Sequence, residues 1–135
     1  MENNVQIVQE CYKKFGEGDV AGILATCAED VAWETPEIEN ATFGGRRSGH
    51  AGASEFFSRM AAEEETTKFE PKEFIAQGDR VVALGTYGAT ARETGRSYET
   101  EWVHVFTVKD GKITSFQEFF DNALASRAFQ KATNA

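Results

Sequence analysis

From Ser97 to Asp121 the chain alternates in the manner of two strands joined by a tight turn. Val103, Val105, Phe106, Thr107 and Val108 are β-branched or aromatic, as are Ile113, Thr114, Phe116, Phe119 and Phe120. Lys109-Asp110-Gly111-Lys112 carries the turn signal, and Gly111 suits a type I turn closed by a glycine bulge. A three-residue loop of that kind pairs Val108 with Lys112, Phe106 with Thr114, His104 with Phe116 and Trp102 with Glu118. Opposed residues share a face. Trp102, His104, Phe106, Phe116, Glu118 and Phe120 then lie on one side, and Glu101, Val103, Val105, Gln117 and Phe119 on the other. A strict two-residue turn would instead bring His104 beside Gln117.

Ahead of this hairpin the period changes. Ile7, Val8, Cys11, Tyr12 and Phe15 form one stripe at helical spacing, predicting a helix over 2–15. Gly16-Glu17-Gly18 breaks it, and Asp19 caps a second helix over 19–28 with the stripe Val20, Ile23, Leu24 and Cys27. Val31 to Thr35 reads as a short strand ended by Pro36. Residues 36–47 have no periodicity, so they form a long loop, holding Arg46 and Arg47 at its end. A third helix over 48–64 has the stripe Ala53, Phe56, Phe57 and Met60, with Glu63-Glu64-Glu65 as its solvated end.

The remainder reads as strand. Thr67 to Gln77 carries Pro71, the mark of an edge or bulge. Arg80 to Ala91 puts Val81, Ala83, Gly85, Tyr87 and Ala89 on one face. Asp121 caps a last helix over 122–130, and the tail Lys131 to Ala135 is expected to fray. Helices followed by strands imply an α+β fold: an antiparallel sheet, curved where Gly85 and Gly88 let it bend, covered by three helices from the first half of the chain and enclosing a pocket.

Length and charge narrow the class. With 135 residues the chain is one domain, long enough to bury roughly 70% of its unfolded surface without disulfides or metals. Cys11 and Cys27 read as buried free thiols, which fits a reducing, cytoplasmic compartment. A formal charge of −8 without a basic stripe argues against nucleic acid and anionic membranes as partners. No apolar run is long enough to span a bilayer, and MENNVQIVQE is too acidic and polar for a secretory leader. Two histidines and no thiol cluster predict no metal site.

The stretches FGEGDVAGILATCAEDVAWETP, Gly-His-Ala-Gly with the following Glu-Phe-Phe, and EWVHVFTVKDGKITSFQEFFD together resemble a SnoaL-like domain. This is the superfamily of nuclear transport factor, ketosteroid isomerase, polyketide cyclases and limonene epoxide hydrolase. The resemblance covers nearly the whole chain and implies a cone: a curved sheet, helices across its open side, one internal pocket and pairing as a homodimer through the sheet. Where ketosteroid isomerase has a tyrosine, a carboxylate base and a protonated acid, this chain has Cys11 (beside Tyr12), Thr35 and His104. The steroid base is missing. Of the Asp-Arg-Asp set of the epoxide hydrolase only one acid position is matched, by Glu118; Gly85 and Tyr87 stand at the other two.

The candidate chemistry therefore rests on this chain's own residues. Glu118, set among Trp102, Phe116 and Phe120, is a carboxyl whose ionisation its surroundings would control, as a general acid or base requires. His104 lies diagonal to it and would assist proton transfer. Tyr12, Trp33, Thr35, Tyr87, Trp102, Phe116 and Phe120 are the candidate pocket lining. His50 and the two arginines read as surface residues. Two functions fit: a cofactor-independent cyclase, isomerase or hydratase acting on an apolar ring-bearing or polyketide-like molecule, or a ligand-binding or dimerisation domain without turnover. An open cavity containing Glu118 discriminates in favour of ligand chemistry. The outward set Val103, Val105 and Phe119 predicts a homodimer.

Overall fold

A computed structural model describes residues 3–131; the frayed tail expected at the C-terminus falls largely outside them. The elements are α1 (Asn4–Gly16), α2 (Val20–Ala25), β1 (Cys27–Thr35), β2 (Gly45–Ser48), α3 (Gly49–Glu63), β3 (Glu64–Gln77), β4 (Arg80–Ala91), β5 (Ser97–Lys109), β6 (Lys112–Phe120) and α4 (Asn122–Phe129). One open, curved sheet runs in the order β2-β1-β6-β5-β4-β3. The fold is α+β, as the periodicities require.

The sheet is mixed rather than wholly antiparallel, because β1 runs parallel to β6. The two strands are separated in sequence by almost the entire domain, so no hairpin fixes their relative direction. Their contact is made by packing: Trp33 lies opposite Phe116, and the two rings stack at 4.1 Å. The second helix is also shorter than its stripe suggested. It ends at Ala25, where Thr26 Oγ1 donates to Ile23 O at 2.6 Å. Cys27, expected on that helix, is the first residue of β1 and pairs with Ile113. A strand neighbour outweighs one more helical contact there.

The long loop expected over 36–47 contains the edge strand β2. Arg46 bonds Glu34 at 3.0 Å across the β1–β2 pair, and Arg47 reaches Glu55 and the Thr42 carbonyl. Both arginines thus have partners within the fold. The loop's apolar residues Ile38 and Phe43 are buried in the core.

The hairpin turn differs from expectation in an instructive way. Lys109 pairs with Lys112, so the loop has two residues, and Asp110 and Gly111 both have positive φ, +51° and +78°. That is the type I′ turn, whose twist matches the strands it joins. One step later Val108 pairs with Ile113 but Thr107 with Ser115, leaving Thr114 as an extra residue in β6. The bulge sits inside the strand instead of at the turn. Nearer the turn the displacement relative to the expected pairing is one residue, so Ile113 rather than Lys112 faces inward opposite Val108. Beyond the bulge it is two residues, which leaves Trp102, His104, Phe106, Phe116, Glu118 and Phe120 on their expected face. It also moves His104 from diagonal to directly opposite Glu118.

The inward face of β5 is buried at Tyr98, Trp102, His104, Phe106 and Val108, while Glu99 and Glu101 are exposed. α1 packs on β3, β4 and β6, α3 on β1, β2 and β3, and α4 on β4 and β5. Between these helices and the concave face the core closes incompletely, and a cavity remains.

Candidate functional site

The cavity offers about 70 Å³ to the centres of water-sized molecules, within about 710 Å³ of atom-free space that includes open solvent at its mouth. Its wall is mostly aromatic, with Trp33, Phe56, Phe57, Phe69, Trp102 and Phe116 prominent. Trp102 is near-parallel to both Phe69, at 5.3 Å and 10°, and His104, at 4.0 Å and 20°, and these two rings lie 6.5 Å from each other. The indole N–H groups of Trp33 and Trp102 have no hydrogen-bond partner among the described residues, although both rings are almost wholly buried. A buried unpaired donor is costly, and neither N–H presents accessible surface.

Two polar groups break this apolar wall. The first is the chain Tyr12–His104–Glu118. His104 Nε2 lies 2.8 Å from Glu118 Oε2, and Tyr12 Oη lies 2.8 Å from His104 Nδ1. Tyr12 comes from α1 and the other two from adjacent strands, so helix-to-sheet packing assembles the set. An ionised carboxylate can only accept, which puts the proton of a neutral imidazole on Nε2 and makes Nδ1 the acceptor for the tyrosine O–H. If the ring gains a second proton, Nδ1–H donates to Tyr12 and the phenol proton is released to donate elsewhere. Burial first, then the nearby Cys11 and Glu118, push the Tyr12 phenol far above its usual range, so it stays a donor. Glu118 keeps 20% of its side-chain exposure, against 6% for His104. It is less enclosed than three aromatic neighbours suggested.

The second group was missed. Glu64 was expected at a solvated helix end, yet it is 2% exposed and lines the cavity. Its Oε1 accepts from Tyr98 at 2.7 Å and its Oε2 from Tyr87, whose hydroxyl is also 2.9 Å from Thr66 Oγ1. Burial raises the Glu64 carboxyl above the ordinary carboxylate range. The two tyrosine bonds oppose that rise, and the charges of Glu118 and Glu63 add to it. A signal was present in the sequence: Glu64 stands four residues after Met60, continuing the stripe Ala53, Phe56, Phe57, Met60. Tyr98 was equally available by extending the alternation of Trp102 and His104 back along its strand.

Of the other candidates, Trp33, Tyr87, Trp102, Phe116 and Phe120 line the cavity as expected. Thr35 does not. It is buried, but its hydroxyl donates to the Phe43 carbonyl at 3.4 Å, so it fastens the 36–44 segment rather than facing a ligand. His50 bonds the Cys27 carbonyl through Nε2 at 3.1 Å, tying the start of α3 to β1. Cys11 and Cys27 are buried free thiols. Among the described residues no three His, Cys, Asp or Glu side chains converge as a metal site would require, and no helix is long and apolar enough to cross a membrane.

The family model of the SnoaL-like domain matches residues 8–116. The chain belongs to the SnoaL-like domain family. Solved structures agree with this membership. An NTF2-like protein from Burkholderia xenovorans LB400 is 35% identical over 94% of this chain and 95% of its own, with a TM-score of 0.85. An NTF2-like protein of unknown function from Burkholderia pseudomallei K96243 is 36% identical over 97% of this chain and 100% of its own, also at 0.85. TerC, co-crystallised with polyporic acid, is 33% identical over 93% of this chain and 97% of its own, at 0.83. No curated protein matches the chain. This SnoaL-like domain therefore shares its cone with proteins whose names specify no common reaction, and its chemistry must be read from its own cavity.

Proposed function

We propose that this SnoaL-like domain binds a small aromatic, ring-bearing molecule in its cavity and moves a proton on it by general acid–base catalysis, as a cyclase, isomerase or hydratase does. The observation that carries the reading is the Tyr12–His104–Glu118 chain at the edge of an apolar cavity. Glu118 is the terminal acceptor and exchanges its proton through His104. Tyr12 is the donor that the protonated imidazole releases toward a developing oxyanion. The stacked wall of Trp33, Phe116, Trp102 and Phe69 suits a flat ring. The likeness to TerC, which was crystallised with polyporic acid, supports an aromatic ligand. The chemistry uses side chains alone and calls for no cofactor.

The test separates turnover from binding. Ring-bearing ketones and polyketide-like enols are screened for product by mass spectrometry, and polyporic acid is titrated against the fluorescence of Trp33 and Trp102. Glu118→Gln keeps the shape and removes the carboxylate that accepts the proton, so it should bind as the wild type does and lose turnover by about two orders of magnitude or more. A mutant that turns over at the wild-type rate removes Glu118 from the mechanism. Tight binding without turnover by the wild type favours a binding domain instead.

We further propose that two copies pair through the outer face of the sheet. Ile75, Val82 and Val105 form one cross-strand row there and Leu84, Val103 and Phe119 another; Ile75 is 52% and Phe119 48% exposed. A contiguous apolar patch of this kind is characteristic of an interface. Light scattering should give twice the chain mass, and Val103→Lys with Phe119→Lys should halve it. A monomeric wild type at working concentration defeats this proposal.

A further inference from the structure

The cavity is polar at two places along one strand, and the second of them plays no part in the acid–base chain. On the inward face of β5, Tyr98 and His104 are six residues apart, roughly 20 Å between Cα atoms at the usual strand rise, and their side chains converge over the concave face closely enough that the Glu118 charge acts on Glu64 and Tyr98. Trp102 and Thr100 lie between them and also line the cavity. At the Tyr98 end stand Glu64 and Tyr87; at the His104 end stand Tyr12 and Glu118.

Resting on the acid–base reading above, we infer that the substrate is an uncharged aromatic molecule oxygenated at two ends, with a phenolic or enolic hydroxyl seated on Glu64, Tyr87 and Tyr98 and a second oxygen function at Tyr12 and His104. The donor and acceptor inventory at Glu64 selects the hydroxyl. With Glu64 ionised, both tyrosine protons are committed to it, and only acceptor positions are left over for a ligand. With Glu64 protonated, the cluster, counting Thr66, holds four O–H groups around three internal bonds and has one donor to give. A ligand hydroxyl both donates and accepts, so it suits either state. A carbonyl suits only the protonated state.

A ligand carboxylate suits neither state well. Among the described residues no lysine or arginine lines the cavity, while two glutamates do. An anionic end would meet like charge in an apolar enclosure with no cation to offset its desolvation. The same feature speaks against Glu64 as one half of a buried ion pair, the ordinary structural use of such a residue.

The experiment compares three probes by calorimetric titration: 4,4′-dihydroxybiphenyl, 4-hydroxybiphenyl and 4′-hydroxybiphenyl-4-carboxylate. The longer 4,4″-dihydroxy-p-terphenyl and its monohydroxy counterpart are run in parallel. For at least one length the diol should bind about tenfold tighter than the mono-ol, since a site built to hydrogen-bond a hydroxyl penalises the analogue without it. The carboxylate should bind most weakly. Tyr98→Phe and Tyr87→Phe each delete one oxygen; in each the diol preference should fall toward unity while mono-ol affinity holds. Equal binding of diol and mono-ol at both lengths overturns the two-ended substrate and leaves the pocket standing. So does a diol preference that survives both tyrosine changes while melting temperature falls, the mark of a purely structural cluster. Tighter binding of the carboxylate refutes the uncharged ligand, and binding of none of the probes sinks this inference and the aromatic-pocket reading together.

Discussion

Replacing Gly85 with alanine adds one methyl group at the point where the sheet meets the cavity wall. Gly85 lies opposite Trp102 in the β4–β5 ladder and opposite Pro71 in β3. A Cβ built there comes closer than 3.0 Å to three atoms: the Glu70 carbonyl oxygen, Trp102 Cζ2 and, at 2.9 Å, Trp102 Cε2. The oxygen belongs to a strand fixed by its ladder. The indole cannot swing away freely either, because Phe69 and His104 are stacked against it and Tyr12 meets it edge-on at 5.8 Å. Alanine by itself should stabilise a strand interior by about 0.5–1 kcal/mol through lost unfolded-state freedom. Overpacking of a closed site costs about 1–3 kcal/mol, toward the upper end where backbone must move. The clash wins, with a net loss of about 2 kcal/mol, and in a domain of this size the melting temperature falls by roughly 6–10 °C.

The matched control is Gly16→Ala. Gly16 is the last residue of α1, and an added Cβ meets nothing within 4 Å. The same chemical change should there raise stability by about 0.5 kcal/mol. Thermal melts followed by far-ultraviolet circular dichroism compare the two, and the indole N–H resonance of Trp102 should shift only in the first. A Gly85→Ala protein that melts at or above the wild-type temperature refutes the account of how Trp102 is seated, and with it the rigid wall assigned to the cavity.

Two further outcomes follow from the buried titratable groups. The folded-state Glu64 carboxyl titrates above its unfolded value, so the unfolded chain loses that proton first and the contribution of Glu64 to stability shrinks as pH rises through the ordinary carboxylate range and beyond. The stability of the wild type relative to Glu64→Gln should therefore decline as pH rises through and above the ordinary carboxylate range; a difference that grows with pH contradicts the burial argument. Burial pushes the Cys11 thiol up to about 12 and raises Cys27 as well, so a thiol-specific disulfide reagent should titrate neither in the native protein and both after denaturation; prompt native labelling of either would show that α1 and β1 do not close over them.

The sequence by itself determined what depends on local period and local chemistry. Stripes at helical spacing located α1 and α3, Asp19 and Asp121 cap α2 and α4 as their side chains allow, and alternation put Trp102, His104, Phe116 and Glu118 on one face. That face assignment survived a wrong turn type, because strand faces depend on parity and the displacement was even. Only the tertiary structure decided what depends on distant segments. The parallel pairing of β1 with β6 comes from two strands meeting across nearly the whole domain. The bulge at Thr114, which sets His104 directly against Glu118, lies inside β6, where no turn residue marks it. Glu64 looked solvated because two more glutamates flank it, and a run of charge carries no information on which member the helix-to-strand junction turns inward. Thr35 shares its face with Trp33, yet the returning segment at Phe43 claims its hydroxyl. Tyr12 reaches His104 only because α1 lies across the concave sheet, a contact between residues 92 positions apart that no local pattern encodes.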